Sequence, residues 1–440
     1  MNADFEARAQ LEAIFREALG AVEGASAVRR VVGRHASCLT IAGRPLPEAA
    51  GVVLLAVGKA AAPMAAAFEA CAGTAVAAGL VVTKLGHAAP PTRVRVVEAA
   101  HPVPDARCES ASREVSNLVA AARSDEVVCV LLSGGASSLL ACPVEGLTLE
   151  DLSATTRLLL EAGADIAETN TVRKHLAAAA GGRLAGRCRA GRIEVLALSD
   201  VPGDRIDLIG SGPFCADPSR FEDALDVLRR RGLIASAPPA VRAYLEAGAR
   251  GEREETPKPG DAAFAAVRTT LVGTNRDAVA AVREAGRRRG LDVRVISKPL
   301  SGEARDAGSH LVELVRRAAP EKPMLLVAGG ETAVTVRGRG RGGRNQELAL
   351  SAALALEAGG PITFLAAATD GTDGPTDVAG AFADSGTVAR GAAAGVDARG
   401  ALADNDSYGF FAAEGGLLVT GPTGTNVMDL VLVRVDPLRV

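Results

Sequence analysis

Residues 52–64 read VVLLAVGKAAAPM and contain, in order, a buried-strand pattern, a Gly-Lys turn and the start of an Ala-rich helix. The same order returns at residues 127–140, VVCVLLSGGASSLL, where six apolar residues precede a turn of small residues. Short apolar runs bounded by such turns are typical of strands that are covered on both faces. Strands that alternate with helices in this way favour a parallel, doubly wound α/β sheet.

The alternation continues along most of the chain. It predicts a further strand at Ile193–Leu198 and helices at Ser110–Arg123 and across most of Thr148–Leu184. Residues 4–33 have the apolar spacing of one or two amphipathic helices. After residue 266 a second set of strand and helix patterns runs to the C-terminus.

The stretch from residue 235 to residue 261 interrupts this alternation, because it holds four prolines and a run of charged residues. A chain of 440 residues accommodates two domains. We predict an N-terminal Rossmann-like α/β domain over residues 1–240, a linker over residues 241–265 and a C-terminal α/β domain over residues 266–440. Each domain is expected to be an α/β/α layered unit with a mainly parallel sheet.

Composition limits the kind of partner and the compartment. The net charge of −3 gives no reason to expect nucleic acid or an anionic membrane as partner. The N-terminus has no signal-peptide core, and apolar runs such as Val127–Leu132 are too short to span a bilayer. The seven cysteines are scattered without the spacing of a zinc site, so we expect reduced thiols in a cytoplasmic protein.

Two strand ends in the N-terminal half carry residues suited to anions. Lys59 directly follows one strand and opens a helix, where free N–H groups and the helix dipole add to its charge. The turn after the other strand offers a nest of N–H groups for phosphate or carboxylate oxygens. Its candidate ligands are Ser133, Gly134, Gly135 and Ser137. The alternatives are a surface lysine at a helix start and a tight turn that requires glycine.

A polar patch and a lone carboxylate follow in the same half. Asn170, Arg173 and Lys174 share one helix face at i, i+3 and i+4 spacing, and two cations with an amide suit an anionic substrate. The alternative is a solvated helix face. Asp200 follows the strand Ile193–Leu198, at a position where a carboxylate can bind a metal or orient a substrate.

The last quarter of the chain places Gly, Asp, Asn and Arg at the ends of apolar runs. The three segments are Leu325–Leu350, Phe364–Asp384 and Leu417–Leu432. Ligands bind at such strand ends in α/β proteins. In the first segment Glu331 follows a strand, and Arg344 and Asn345 begin a helix, so all three are candidate substrate or phosphate ligands.

The loop before this helix contains a formal dinucleotide-binding pattern. Gly338, Gly340 and Gly343 match G-x-G-x-x-G, but no ribose-binding acid follows at the expected distance. Arg341 and Arg344 instead suit bidentate contacts with phosphate oxygens.

Carboxylates and hydroxyls occupy the other two segments. Asp370 and Asp373 lie in a Gly-rich loop after a strand, where paired carboxylates suit Mg²⁺ and an Asx turn is the alternative. Thr423 and Asn426 lie in TGPTGTN, which suits phosphate or ribose contacts, unless it is a plain loop.

Long motifs in the same order throughout the chain resemble the glycerate 2-kinase family, which joins a DUF4147 N-terminal domain to a MOFRL C-terminal domain. The motifs are AVGKAAAPM, HPVPD, LLSGGASSLL, NTVRKHL, LSDVPGD, GSGP, GGETAVTVRGRGRGGRNQELAL, ATDGTDGPTD, NDSY and TGPTGTN. By this resemblance the MOFRL segment covers about residues 323–433, inside the predicted C-terminal domain.

The resemblance implies an ATP- and Mg²⁺-dependent kinase that transfers the γ-phosphoryl group to the 2-hydroxyl of D-glycerate, giving 2-phosphoglycerate and ADP. It also implies an active site in the cleft between two α/β domains, with Lys59 and Arg344 at positions proposed as catalytic in the family. The partners are then D-glycerate and a nucleotide, without nucleic acid or membrane, and a homo-oligomer is left open. Members of the family also carry the label hydroxypyruvate reductase, which we expect among relatives.

Under this hypothesis each group of candidates has a role. Lys59 and Arg344 neutralise the transferring phosphoryl group, and Asp370 and Asp373 hold Mg²⁺ directly or through water. The Ser133–Ser138 turn cradles a phosphate or the substrate carboxylate.

The remaining candidates would bind glycerate itself. Arg173 or Lys174 binds its carboxylate, and Asp200 orients or deprotonates the 2-hydroxyl. Two alternatives remain: an NAD(P)H-dependent hydroxypyruvate reductase, which the glycine pattern supports, and a non-catalytic small-anion-binding protein, against which the paired aspartates argue.

Overall fold

The computed structural model describes residues 3–35, 38–47, 50–90, 92–318 and 320–437. They form two compact units. One unit covers Gly24–Val272, and the other combines residues 3–23 with residues 273–437.

Helices and strands alternate through both units. The helices are α1 (Ala3–Val22), α2 (Gly24–Val31), α3 (Ala61–Ala72), α4 (Ala106–Ala121), α5 (Ala136–Leu139), α6 (Leu149–Glu161), α7 (Ile166–Leu176), α8 (Arg183–Arg187), α9 (Phe221–Arg230), α10 (Pro239–Ala249), α11 (Asn275–Arg288), α12 (Ala304–Arg316), α13 (Arg344–Leu356), α14 (Thr387–Ala393), α15 (Ala398–Ala403) and α16 (Ser407–Glu414). Single 3₁₀ turns lie at Gly73–Ala75, Pro202–Asp204, Ile209–Ser211 and Ala262–Phe264.

The strands include several of only two to four residues. They are β1 (Val32–His35), β2 (Cys38–Ile41), β3 (Arg44–Pro45), β4 (Val52–Val57), β5 (Val76–Lys84), β6 (Arg95–Ala99), β7 (Val127–Leu132), β8 (Arg192–Leu198), β9 (Val267–Gly273), β10 (Asp292–Val295), β11 (Met324–Gly330), β12 (Ile362–Ala368), β13 (Gly380–Asp384), β14 (Leu417–Leu418) and β15 (Asp429–Val435).

The main sheet of the first unit has the strand order β6-β5-β4-β7-β8-β9. The pairs from β6 through β8 are all parallel, which confirms the predicted α/β class and the parallel sheet for this unit. Every residue of β4 and β7 is buried, because helices cover both faces of the sheet. Burial of each Val or Leu side chain contributes roughly 1.5–3 kcal/mol.

The register of β4 and β7 fixes where their following turns lie. Val52 pairs with Val127 and Val57 pairs with Leu132, so the two strands end side by side. The turns that begin at Gly58 and Ser133 are therefore neighbours at the carboxyl edge of the sheet.

The second unit has a mixed sheet of order β10-β11-β15-β12-β13-β14. The prediction of a mainly parallel sheet is wrong here, because only β10 and β11 pair in parallel and the other four pairs are antiparallel. The crossover through α13 makes β11 parallel to β12, but β15 enters the gap between them in the opposite direction. β13 follows β12 without an intervening helix, and such short connections produce antiparallel pairs.

The units divide the chain differently from the predicted boundaries. The segment predicted as a linker contains most of α10, whose Val241 and Leu245 are buried in the core of the first unit. That unit therefore continues to Val272. The two predicted N-terminal helices are present as α1 and α2, but α1 packs on α11 and belongs to the second unit.

The seven cysteines are free thiols, as predicted. Across the described ranges, none of the helices combines the length and the apolar character needed to cross a bilayer.

Candidate active site

Lys59 and the Ser-Gly-Gly turn after β7 form one locally bonded structure. The backbone N–H of Lys59 donates to the carbonyl of Gly134 at 2.9 Å, and the N–H of Ala60 donates to Ser133 Oγ at 3.1 Å. Gly58 has φ of 129°, and a Cβ there would lie 2.1 Å from Ser133 Oγ. Glycine is required at position 58 because the two turns touch at this point.

Gly135 brings Lys59 and His101 together. It has φ of 89°, and a Cβ on it would lie 3.0 Å from the His101 ring and 3.5 Å from Lys59 Cγ. The aliphatic part of Lys59 and the His101 imidazole therefore flank the glycine turn. The structure thus places Lys59 and the Ser133–Ser138 turn in one group.

A chain of hydroxyl and amide groups extends from this turn. Ser137 Oγ lies 2.8 Å from Ser211 Oγ, and Ser211 Oγ donates to Asn170 Oδ1 at 2.6 Å. The Asn170 side-chain N–H donates to the carbonyl of Ile166 at 2.9 Å. Because Asn170 is buried and bonded at both ends, it positions Ser211 in this structure.

Ser211 is a member of this group that sequence reasoning missed. It has φ of 60°, in the left-handed region that non-glycine residues seldom occupy. Such backbone strain is common at functional sites. The available signal was its place in the motif GSGP, at residues 210–213 in the segment that follows Asp200.

Arg173 is the cation of this group whose charge is unmatched. It lines a cavity of ≈ 10 Å³ together with Ser137, Gly210 and Ser211. Within the part of the chain that the structure describes, its guanidinium makes neither a hydrogen bond nor a salt bridge. Burial lowers the pKa of Arg173 to about 10. A largely buried, unpaired guanidinium beside two hydroxyls suits an anionic ligand.

Lys174 has a different environment although it is the next residue. It is 2% exposed and its Nζ lies 3.0 Å from Asp207 Oδ2 and 3.4 Å from Asp217 Oδ1. Lys174 therefore forms salt bridges within the protein, and these link α7 to the segments that follow β8. Of the two residues predicted as carboxylate ligands, Lys174 is thus paired with acids of the protein.

Asp200 lies at the same edge of the sheet. Leu132 at the end of β7 pairs with Ala197 of β8, so the half-buried Asp200 follows β8 close to the level of the Ser133 turn. Four loop groups, those of Lys59, Ser133, Asp200 and His101, therefore surround the carboxyl ends of the parallel strands.

The second unit has its own cluster at a strand edge. Asp429, the first residue of β15, pairs with Gly330 at the end of β11 and with Ala368 at the end of β12. Arg344 Nε and Nη2 donate to its two oxygens at 2.5 and 2.9 Å, and Arg344 Nη1 lies 3.0 Å from Glu331 Oε1. Asp429 was not predicted as a site residue.

The two acids hold Arg344 firmly in its charged form. Burial alone disfavours its charge, but the carboxylates of Asp429 and Glu331 raise the pKa of Arg344 well above its ordinary value. The guanidinium is therefore a fixed cation at the N-terminus of α13, with 28% of its side chain exposed.

Asp373 is committed to the first turn of α13. Its Oδ1 accepts from the backbone and side-chain N–H of Asn345 at 3.0 and 3.2 Å, and its Oδ2 accepts from those of Gln346, both at 2.9 Å. Burial raises the pKa of Asp373 to about 6, against the effect of these donors. Because all its lone pairs face N–H groups, Asp373 caps the helix, and Asn345 is held by the same contacts.

Asp370 is the other carboxylate of this loop. It is 8% exposed, and its Oδ1 accepts from the backbone N–H of Thr372 at 2.9 Å. Thr423 Oγ1 donates to the carbonyl of Thr369 at 2.5 Å, which holds the TGPTGTN loop and the half-buried Asn426 beside the end of β12. Across the described ranges, no cluster of three or more His, Cys, Asp or Glu residues could hold a metal ion.

Residues 337–343, RGRGRGG, form an Arg-Gly loop before α13, and close packing explains its glycines. A Cβ on Gly338 or Gly340 would lie 2.2–2.3 Å from Asp404 or Asp406, and one on Gly342 would lie 2.2 Å from Ser407. Of the formal dinucleotide pattern, Gly338 and Gly340 thus pack on the Asp404–Ser407 segment, and Gly343 packs on Asp373. The loop is also long, since β11 ends at Gly330 and α13 begins at Arg344.

Comparison with known proteins assigns the chain to a family. Residues 10–246 match the domain of unknown function DUF4147, and residues 324–429 match the MOFRL family. A D-glycerate 2-kinase of Thermotoga maritima is 43% identical over 387 residues, which cover 87% of this chain and 90% of that protein. A glycerate 2-kinase of Pyrococcus horikoshii is 40% identical over 432 residues, 96% of each chain.

Solved structures agree with this assignment. The crystal structure of the Thermotoga maritima glycerate kinase superposes with a TM-score of 0.82 at 38% identity, covering 98% of this chain and 99% of that one. The chain therefore belongs to the glycerate 2-kinase family and is a kinase. A protein of Agrobacterium vitis that is 39% identical, over 86% of each chain, is named a putative hydroxypyruvate reductase, so the expected second label does occur among relatives.

Proposed function

We propose that the protein is an ATP- and Mg²⁺-dependent glycerate 2-kinase that converts D-glycerate to 2-phosphoglycerate. The environment of Arg173 supports an acidic substrate. Its guanidinium is unpaired and largely buried, and it lines the same cavity as Ser137 and Ser211. A small hydroxy acid supplies the carboxylate that this cation lacks. The names of the relatives support the choice of glycerate among such acids.

Positioned cations support the phosphoryl-transfer step. This reaction needs little covalent chemistry from the protein and depends on orientation and on positive charge around the transferring group. We assign that charge to Lys59, whose stem lies against Gly135. In the second unit, Arg344 offers a cation for phosphate oxygens, and its guanidinium is held by Asp429. The N–H groups of the Ser133–Ser138 turn add neutral donors for anionic oxygens.

The acceptor hydroxyl needs orientation and a route for its proton. Asp200 is the carboxylate at the same sheet edge as Lys59, so we assign to it the orientation and deprotonation of the 2-hydroxyl. We assign to Asp370, in the Gly-rich loop after β12, the binding of a Mg²⁺ ion that keeps several waters. The oxygens of Asp373 accept from N–H groups of α13. When bound, the metal would neutralise charge on the phosphate oxygens.

The test is ADP release from MgATP with D-glycerate, coupled to enolase without added mutase. A prompt enolase signal is expected, because enolase accepts only the 2-phosphate. ADP release without that signal would contradict the assigned position, and no ADP release by folded protein would contradict the kinase. Oxidation of NADH by hydroxypyruvate without ATP would instead support the reductase. A Lys59→Met variant should lose the enolase signal while remaining folded.

A further inference from the structure

We infer that Asn275 is a positioning residue for Arg344 and acts on it through residues 427–429, the segment that leads into β15. This inference rests on the proposed function for the role of Arg344. Met428 in this segment has φ of 67°, in the left-handed region that residues other than glycine seldom adopt. The next residue, Asp429, supplies the carboxylate that binds the Arg344 guanidinium. The conformation of Met428 therefore determines where that carboxylate lies.

The Asn275 side chain bonds to the residues on both sides of Met428. Its Nδ2 donates to the carbonyl of Val427 at 2.8 Å and to the carbonyl of Asp429 at 3.0 Å. Because both partners are carbonyl oxygens, which only accept, the amino end of the side chain must point toward them. One donor group thus spans the strained residue and opposes rotation of the backbone on either side of it.

The start of α11 fixes Asn275 itself, which is the first residue of this helix. Thr274 Oγ1 accepts from the N–H of Asp277 at 3.2 Å, and Asp277 Oδ2 accepts from the N–H of Thr274 at 2.9 Å, so the first turn is closed by a capping box. A Cβ on Gly329 would lie 1.9 Å from Asn275 Oδ1. Glycine in β11 therefore leaves the space through which the Asn275 side chain reaches the start of β15.

Thr369 holds the same segment from the side of β12. Its N–H and its Oγ1 donate to the carbonyl of Met428 at 3.1 and 2.6 Å, and its Oγ1 accepts from the N–H of Val427 at 2.9 Å. Thr369 and Met428 are buried, so water has little access to these bonds. A strained backbone persists only where the surrounding structure holds it, and here Asn275 and Thr369 supply the contacts.

The backbone sets the direction of the Asp429 carboxylate. On one side Asp429 is fixed by its pairing with Gly330 of β11 and with Ala368 of β12. On the other side it is fixed only as long as Met428 keeps its positive φ. Relaxation of Met428 to negative φ would rotate the adjoining backbone and move both oxygens out of the plane of the Arg344 guanidinium. Because a preorganised cation depends on its orientation, phosphoryl transfer should then slow while the chain remains folded.

The test compares Asn275→Ala with two double variants, Asn275→Ala/Met428→Gly and Asn275→Ala/Met428→Ala. Thr369 is left unchanged because it adjoins Asp370, to which we assign Mg²⁺. In Asn275→Ala, kcat/KM for the phosphoryl donor should fall at least about tenfold, and KM for D-glycerate should stay at the wild-type value.

The second substitution separates backbone conformation from stability. Glycine adopts positive φ without strain, so Asn275→Ala/Met428→Gly should recover to within about threefold of wild-type kcat/KM. Alanine keeps a Cβ, so Asn275→Ala/Met428→Ala is the matched control and should stay as slow as Asn275→Ala. Both double variants lose a buried methionine side chain and should unfold at lower temperature than Asn275→Ala. A general structural role of Asn275 could not produce higher activity at lower stability.

Nuclear magnetic resonance of the Arg344 Nε–H group gives a readout that does not depend on activity. The signal is assigned by its loss in Arg344→Lys. In the wild-type protein this N–H donates to a buried carboxylate and should exchange slowly with water. Exchange should become fast in Asn275→Ala and slow again in Asn275→Ala/Met428→Gly.

Wild-type kcat/KM together with slow exchange in Asn275→Ala would overturn the inference. Equal recovery in the glycine and alanine double variants would overturn it as well, because the effect would then not depend on φ. If the wild-type protein phosphorylates no D-glycerate while the exchange rates change as expected, the proposed function is contradicted and the positioning of Arg344 by Asn275 is supported.

Discussion

Asp429 holds both Nε and Nη2 of Arg344, at 2.5 and 2.9 Å, although the two residues are 85 positions apart in sequence. The Asp429 side chain is 3% exposed, so solvent has little access to the carboxylate that binds Arg344. The contact fixes the plane of the guanidinium and leaves Nη1 beside Glu331. A cation whose direction is set in this way needs no reorganisation when a phosphoryl group arrives.

Replacement of Arg344 by lysine should abolish most activity. Lysine keeps the charge but cannot make the bidentate contact with Asp429, so kcat/KM for phosphorylation should fall by at least about 100-fold. Steady-state kinetics measures the effect. Arg317→Lys, at a position that is 82% exposed, is the matched control and should behave as wild type. Wild-type kcat/KM in Arg344→Lys would show that the bidentate geometry is unimportant.

Arg173 and Lys174 should respond to the same substitution in opposite ways. Arg173→Met removes an unpaired, half-buried charge, so stability should be unchanged or higher, while KM for D-glycerate should rise at least about tenfold. Lys174→Met leaves the fully buried Asp217 without its cation and should cost about 3 kcal/mol of unfolding free energy. Urea unfolding of both variants measures the free energy of unfolding, and substrate titration measures KM. A stability loss in Arg173→Met as large as that in Lys174→Met would refute the distinction.

Substitution of the two aspartates of the Gly-rich loop should have different effects. We expect Asp370 to affect Mg²⁺ dependence and Asp373 to affect stability. Asp370→Asn should raise the Mg²⁺ concentration for half-maximal rate about tenfold, because a neutral amide is a weaker ligand, and should leave stability unchanged. Asp373→Asn turns an amide N–H₂ toward the N–H donors of α13 and should cost about 2 kcal/mol. Magnesium titrations and thermal unfolding measure the two effects. The reverse pattern would restore Asp373 as the metal ligand.

Acid should destabilise the first unit through Glu255. Its Oε1 lies 2.9 Å from Nε2 of the buried His175, and its Oε2 accepts from the N–H of Phe221. Burial alone would raise the pKa of Glu255, but the hydrogen bond and charge of His175 lower it to about 2, below its ordinary value of 4.5. A carboxyl whose pKa is lower in the folded state stabilises the protein above pH 4.5, and this contribution is lost as the pH falls from 4.5 towards 2.

Unfolding free energies measured over that pH range test the assignment. The wild-type protein should lose stability with acid more steeply than Glu255→Gln, which has no group to protonate at this position. Glu246→Gln, at a position that is 47% exposed, should keep the wild-type slope. Parallel curves for wild type and Glu255→Gln would mean that other carboxyl groups carry the acid sensitivity.

Arg8 should be a major stabilising contact of the second unit. Its Nη2 lies 2.6 Å from Asp384 and 3.4 Å from Glu414, whose side chains are 1% and 0% exposed. Arg8→Ala leaves these two buried carboxylates with Arg390 as their remaining cation and should cost about 3 kcal/mol. Arg16→Ala, in the same helix with an exposed partner, should cost less than about 1 kcal/mol. Similar unfolding midpoints for the two variants would contradict this role.

Local patterns predicted the first unit well. β7 matches the apolar run Val127–Leu132, β4 lies at the start of the quoted segment 52–64, and the turns after the two strands meet at Lys59 and Ser133. These features follow from short apolar runs and from the rule that parallel strands share one carboxyl edge. These features can be predicted from residues that are close in sequence.

Features that depend on distant residues could not be read from sequence. Arg173 and Lys174 are equivalent as charges, and only the acids at positions 207 and 217 make one of them structural. Asp429 matters because β15 enters between β11 and β12, which no local pattern encodes. Asp373 looks like a metal ligand in sequence because a helix cap and a metal site use the same residue types.

The division of the chain has a consequence for synthesis on the ribosome. α1 is translated before the Gly24–Val272 unit, yet the partner of Arg8 in β13 follows 376 residues later. The Gly24–Val272 unit is continuous, so it can fold while the rest of the chain is still being translated. The second unit waits for its last strands, and until then the apolar face of α1 has no partner. Nascent chains stalled before residue 380 should therefore contain one folded unit and an N-terminal helix that chaperones can bind.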